Sequence, residues 1–203
     1  MGYIIAAGLG YLLGCSHMAY YIGRMKSVDI RSNGSGNLGA SNATVLLGWY
    51  SGILVAVHDI LKAVAAVLLA KLLFPSAEYV GAVAGVACVL GHIFPFWLGF
   101  KGGKGLASYF GMVLAINWKL AIVVALVILL ATILTDFISV GALSSIVVVP
   151  VYVGVTQSWL LAAILCAASL VMLCKHWENI IRILNHTEIG LRSTARGENR
   201  MDK

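Results

Sequence analysis

Charge is what this chain has least of. Lys, Arg, Asp and Glu make up 11% of its 203 residues, against 61% apolar side chains, whereas a water-soluble domain carries about a quarter charged residues and nearer half apolar ones. A soluble globular domain is excluded. Cysteines are few and solitary: Cys15, Cys88, Cys166 and Cys174 sit singly in or at the ends of apolar runs. With neither C-x-x-C spacing nor paired loop positions, they read as small buried hydrophobes, and no metal-ligand set is expected. A basic n-region is missing ahead of a first apolar run that is long enough to span, so no cleavable signal is expected. Internal repeats, low-complexity tracts and room for an extramembrane domain are missing too. The net charge of +6 excludes little by itself, but the basic residues are scattered among loops rather than gathered with aromatics, which argues against a nucleic-acid partner.

What is there is a series of apolar runs. A span needs about 20 apolar residues, and the runs are several and closely spaced, which predicts one all-α, polytopic membrane bundle over 1–203. Spans are expected at 4–23, 49–73 and 78–97, followed by four segments between Leu106 and Cys174. The first of those four, 106–116, is too short to cross untilted and is expected to be half buried in protein. Gly10 and Gly14, at G-x-x-x-G spacing, predict a close helix contact on the first span. Arg24, Lys26 and Arg31 after that span place its end in the cytoplasm and the N-terminus outside. About seven segments then put the C-terminus inside. The inner side would hold Lys101, Lys104, Lys175, Arg182, Arg192, Arg196, Arg200 and Lys203 as well, against Lys71 and Lys119 outside. The last dozen residues, from about 192, read as a frayed tail.

Three polar clusters fall on that inner side. The first is DIRSNGSGNLGASN, Asp29 to Asn42. Gly34, Gly36 and Gly39 satisfy G-x-G-x-x-G, but no strand precedes them, so the dinucleotide reading fails. The physics survives: glycines let backbone N–H groups converge on an anion, while Ser35, Asn37, Ser41 and Asn42 add donors. The second runs from Gly91-His92 to Lys101-Gly102-Gly103-Lys104-Gly105. It lacks Walker A spacing, yet it sets lysines in a glycine turn before a helix N-terminus, where phosphate is favoured. Lys101 and Lys104 also read as positive-inside markers, and His92 as a ligand or a core histidine. The third is Lys175-His176-Trp177-Glu178-Asn179, then Arg182 and Thr187-Glu188, with Lys175, Asn179 and Arg182 expected on one face of a continuous helix. Inside the second span, His58, Asp59 and Lys62 are costly to bury unless paired, and an Asp59–Lys62 pair that fixes helix packing is expected. Asp136, near Ser139 at an inner loop, could reach the same site.

Donor-rich clusters with few acceptors, at one face of a membrane, suit phosphoryl or acyl transfer between phosphate-bearing substrates, one of them lipophilic. No nucleophile, base and orienter are tied together by spacing. The residues five after the histidines are Ile22, Ala63, Trp97, Ile181 and Leu191, so an H-x-x-x-x-D pair is missing and a substrate phosphate, with a second pKa of about 6, could serve as base. A small transporter is the rival class, since glycine breaks and intramembrane charges also build ion sites.

GSGNLGASN, GHIFPFWLGFKGGKG and KHWENIIRIL followed by TE, in this order, closely resemble the bacterial membrane acyl-phosphate:glycerol-3-phosphate acyltransferases, the PlsY family, over essentially the whole chain. The resemblance implies a multi-pass enzyme of the bacterial inner membrane with its site facing the cytoplasm. It would move an acyl group from acyl phosphate to the sn-1 hydroxyl of glycerol 3-phosphate, giving lysophosphatidic acid and phosphate, with no cofactor and without using acyl-CoA or acyl carrier protein directly. Ser35, Lys104, His176 and Asn179 match the positions expected to be catalytic. Gly36, Asn37, Ser41, Asn42, Ser139 and Glu188 match substrate-binding positions of the motifs, to which the residues themselves add Gly39, His92, Lys101, Gly102, Gly103 and Arg182. The departures are Val45, where an arginine is usual, Ala63 for a glycine after Lys62, Asp136 for an arginine, and His186 and Gly190 for a glycine and a lysine. Each lost charged hydrogen bond would weaken a phosphate site by about 1.5–3 kcal/mol, so either another cation compensates or a divergent paralogue takes another acceptor.

Overall fold

The structure is a computed structural model that describes residues 1–195. It is helical throughout, with no strand among the described residues. The chain forms two compact units, Met1–Trp118 and the residues from Lys119 onward.

In the first unit, α1 (Gly2–Gly14) and α2 (Met18–Met25) are followed by a loop and by α3 (Ala40–Leu47), α4 (Trp49–Leu73), α5 (Val80–Ile93) and α6 (Leu106–Ile116). The expected span 4–23 is therefore broken at Cys15–His17. A helix broken inside a membrane leaves carbonyls that water cannot satisfy. Two side chains from elsewhere meet them: Trp97 Nε1 donates to the Cys15 carbonyl at 2.8 Å and Lys62 Nζ to the Ser16 carbonyl at 2.7 Å. The Gly10 and Gly14 face packs on α5, where any Cβ would strike the carbonyls of Ala84 and Cys88. The short α6, about 16 Å at 1.5 Å per residue, lies on α4 through Gly111, which sits against the Ile60 backbone, and buries Tyr109 and Met112 completely.

The second unit holds α7 (Trp118–Thr135) from its second residue on, α8 (Ile138–Thr156), α9 (Trp159–Lys175), α10 (Trp177–Leu184) and α11 (Leu191–Ala195). Along α7, Leu126, Leu129, Leu130 and Ile133 are at least half exposed, as a lipid-facing helix requires. The expected continuous helix through the third motif is instead bent by 47° at His176. Lys175 therefore closes α9, while Asn179 and Arg182 belong to α10.

Among the described residues, five helical stretches are long and apolar enough to cross a membrane, taking Gly2–Met25 as one, or six if α9 and α10 count as a broken span; α6 is shorter. The expected frayed tail begins within α11, and from residue 196 on it lies outside the described residues, as do Arg196, Arg200 and Lys203 of the charge count.

Candidate active site

The loop between α2 and α3 is knotted by one side chain. Asn42 is 4% exposed; its Oδ1 accepts from the Ser35 backbone N–H at 3.0 Å, and its Nδ2 donates to the carbonyls of Ile30 and Asn33 at 3.2 and 3.3 Å. Gly34 has φ +61°, and a Cβ there would overlap Asn42 Oδ1, so only glycine fits. Upstream, Asp29 closes the turn by accepting from Arg31 N at 3.0 Å, and its carbonyl accepts from Asn33 Nδ2 at 2.8 Å. These bonds leave Ser35 and Ser41 exposed. The N-cap of α3 is Gly39, with no side-chain cap bond, so the first N–H groups of the helix point outward beside Ser41. At the other end of α3, Lys26 Nζ donates to the Leu47 carbonyl at 2.8 Å and to Ser51 Oγ at 3.2 Å, a cation at the negative end of a helix. Lys26, read from sequence as a positive-inside marker, thus holds the helix that carries Ser41 and Asn42.

The second motif folds onto His92. After a 3-10 turn at Phe96–Leu98, Gly102 N donates to the Ile93 carbonyl at 3.1 Å and Gly103 N to the His92 carbonyl at 3.0 Å. A Cβ at 102 would overlap that carbonyl, and one at 103 would overlap the His92 imidazole. Gly105, at φ +96°, is the N-cap of α6 and again supplies no side-chain cap. Lys101 is exposed and Lys104 half-buried. The two motifs share one apolar cluster, in which Ile30 and Leu38 of the first, with Ala43 just after it, meet Leu98 of the second. Arg31 also lies over the Tyr20 ring at 5.6 Å, and Tyr20 meets Trp97 edge-on at 5.1 Å.

Beneath the second turn lies the expected pair, with more company than the sequence suggested. Lys62 Nζ is 2.7 Å from Asp59 Oδ1 and 2.9 Å from His92 Nδ1. His58 Nε2 is 3.1 Å from Ser16 Oγ, and the His17 ring lies 5.0 Å from that of His92. His17 and Ser16 were missed as partners of the second span, although a polar Ser-His step inside an apolar run was the available signal.

In the second unit the third motif converges on Glu188, 8% exposed. Ser139 Oγ donates to Oε1 at 2.9 Å, Asn179 Nδ2 to the same oxygen at 2.5 Å, and Arg182 Nε to Oε2 at 2.7 Å. His176 Nδ1 is 2.8 Å from the Met172 carbonyl. A carbonyl only accepts, so Nδ1 carries the proton, and in the neutral ring Nε2 keeps the lone pair. Asp136 does not turn toward these residues. Its Oδ1 accepts from Arg192 N at 2.9 Å, its carbonyl accepts from Leu191 N at 2.7 Å, and a Cβ at Gly190 would overlap its carboxylate. Asp136 and Gly190, two separate departures in the sequence, are a fitted pair in the structure.

The chain is similar to known proteins over nearly its whole length. A family model described as glycerol-3-phosphate acyltransferase matches residues 4–186. Glycerol-3-phosphate acyltransferase 1 of Oceanobacillus iheyensis is 38% identical over 205 residues, covering 95% of this chain and 97% of that protein. Two crystal structures of PlsY (YgiH), an integral membrane glycerol 3-phosphate acyltransferase, superpose with it. The glycerol 3-phosphate form has a TM-score of 0.87 at 30% identity, with 97% of this chain and 98% of the other covered. The lysophosphatidic acid form has a TM-score of 0.85 at 31% identity, with 94% and 95% covered. With its helical membrane architecture and its three motifs, this chain belongs to the glycerol-3-phosphate acyltransferase family.

Proposed function

We propose that the donor is acyl phosphate and that the acyl group goes to the sn-1 hydroxyl of glycerol 3-phosphate, giving lysophosphatidic acid and phosphate at the cytoplasmic face of a bacterial plasma membrane. About seven membrane segments, with the N-terminus outside and the C-terminus inside, complete that reading. The observation that carries it is the pair of glycine turns over one apolar cluster, each running into a helix whose N-cap is glycine. Both helix starts offer uncapped N–H groups and a positive dipole end, the chemistry that holds phosphate. The forms in which PlsY was crystallised, with glycerol 3-phosphate and with lysophosphatidic acid, suit the same acceptor and product.

In this reaction the hydroxyl oxygen bonds to the acyl carbonyl carbon, and the C–O bond to phosphate breaks with its electron pair. The hydroxyl proton ends on the departing phosphate, a base of suitable strength with a second pKa of about 6. Ser35, Gly36, Asn37, Gly39 and Ser41 cradle one phosphate. Lys101, Gly102, Gly103 and His92 form the second cradle, and the Lys104 ammonium offsets the charge that develops on the leaving group. His176 and Asn179 orient the attacking hydroxyl. Asn42 shapes the loop of the first cradle from behind, and Ser139, Arg182 and Glu188 hold the helix that carries Asn179.

Purified protein given palmitoyl phosphate and radiolabelled glycerol 3-phosphate is expected to form lysophosphatidic acid, and Lys104→Ala to abolish it. Absence of product at every acceptor concentration overturns the reading. A second reading, a different acceptor, is favoured by Val45, which stands exposed on α3 one turn beyond Ser41 and offers no charge to a phosphate. A panel of phosphorylated and unphosphorylated polyols separates the two.

A further inference from the structure

We infer that Lys62, held by Asp59, fixes His92 as a permanent N–H donor whose Nε2 serves a substrate phosphate oxygen at the Gly102–Gly103–Lys104 turn. The inference rests on the phosphate-binding reading of that turn. Lys62 Nζ has three acceptors around it: Asp59 Oδ1 at 2.7 Å, the Ser16 carbonyl at 2.7 Å and His92 Nδ1 at 2.9 Å. An ammonium has three protons and no lone pair. Its contact with Nδ1 at 2.9 Å is therefore a hydrogen bond from Nζ–H to the Nδ1 lone pair. A protonated Nδ1 would set donor against donor at 2.9 Å, which the geometry forbids. Asp59 Oδ1, 3.4 Å from Nδ1, is the longer contact. The ring is therefore neutral with its proton on Nε2, because the bond at one imidazole nitrogen sets the state of the other.

That nitrogen faces the turn. The Cβ of any residue but glycine at 103 would fall on Nε2, while the Gly103 N–H donates to the His92 carbonyl at 3.0 Å. Glycine at 103 thus lets the imidazole edge meet the turn directly, next to Lys104. The other titratable groups packed around the ring are His17, at 5.0 Å between centroids, and His58, whose Nδ1 is 3.5 Å from Asp59 Oδ1. A neutral imidazole that cannot switch tautomer offers an oxyanion a hydrogen bond without itself taking the reaction's proton. In this arrangement Lys62 and Asp59 are positioning residues, and His92 is the group that touches substrate.

The test is a 15N-histidine NMR spectrum of the full chain in lipid nanodiscs, with the His92 signal assigned through His92→Gln. The wild type is expected to show His92 as the pure Nε2–H tautomer. Adding inorganic phosphate, and then glycerol 3-phosphate, is expected to shift that N–H signal. Lys62→Met is expected to give a mixture of tautomers and to raise KM for glycerol 3-phosphate or acyl phosphate about tenfold, the loss of one hydrogen bond. A His92 that is Nδ1–H or doubly protonated in the wild type overturns the inference whether or not the variant folds. So does an Nε2–H signal that stays still at saturating substrate in an enzyme that turns over. If the signal moves with phosphate but no acyl transfer is found, the acyltransferase reading fails and the donor assignment stands.

Discussion

The two units build polar sites by opposite means. In the first, the groups we propose for holding phosphate are backbone N–H groups at two glycine-capped helix starts, and the most buried polar side chain of the first motif, Asn42, works inward to shape the loop. In the second, side chains face one another: Ser139, Asn179 and Arg182 all donate to one carboxylate, Glu188. A backbone site is fragile toward any added Cβ, whereas a side-chain knot is fragile toward losing its centre. The same class of substitution should therefore act differently in the two units.

The largest effect is expected at the centre of the knot. Glu188→Ala removes the acceptor that three donors share, one of them the Arg182 guanidinium, which keeps only the exposed Glu178 carboxylate at 3.7 Å as an ion-pair partner. Breaking a buried charge pair costs about 3–5 kcal/mol, and the lower end applies because Arg182 is 36% exposed. Thermal unfolding in detergent should show a large loss of stability. Glu188→Gln, which keeps one acceptor oxygen, should recover part of it. Full stability of the Ala variant would break the contrast between the units.

Asn42→Ala comes next. It leaves the Ser35 N–H and the buried Ile30 carbonyl without the Asn42 amide, while the Asn33 carbonyl keeps the Gly36 N–H at 3.1 Å, at about 1–3 kcal/mol for a buried unsatisfied group. Because the loop rather than the core is loosened, KM for the phosphate substrates should rise more than the melting temperature falls. An equal fall in both would make Asn42 an ordinary core residue.

These contrasts bear on what could be read from sequence. The apolar runs and the glycine motifs were legible, because each depends on local pattern: Gly10 and Gly14 announce a close helix contact without naming α5. What sequence hid was long-range. The break at Cys15–His17 is stabilised by Lys62 and Trp97, 46 and 82 residues away in the chain from the carbonyls they meet. The bend at His176 interrupts a motif whose spacing fits a straight helix equally well. Asp136 and Gly190 lie far apart in sequence, and each alone reads as an oddity. Their partnership is testable by a double-mutant cycle on stability. Gly190→Ala should destabilise by pressing on the Asp136 carboxylate, and Asp136→Ala by releasing Arg192 N. The double variant should cost less than the sum by about 0.5–3 kcal/mol, the range for residues in contact. Additivity would separate the two.

The smallest effect is expected at Val45, where the backbone site has an unused neighbour. Val45 is 38% exposed and follows Ser41 by one turn on α3, clear of the Asn42 knot. An arginine there adds a cation close to the N–H groups we propose for phosphate, without displacing a packed side chain. An exposed charge interaction is worth about 0.2–1 kcal/mol, so Val45→Arg should lower KM for glycerol 3-phosphate by at most a few-fold. The melting temperature should stay unchanged, and added salt should shrink the gain. If KM falls for the phosphorylated acceptor and not for glycerol, the outer face of α3 meets the acceptor phosphate. If neither moves, that phosphate lies elsewhere, and the second glycine turn becomes its better candidate.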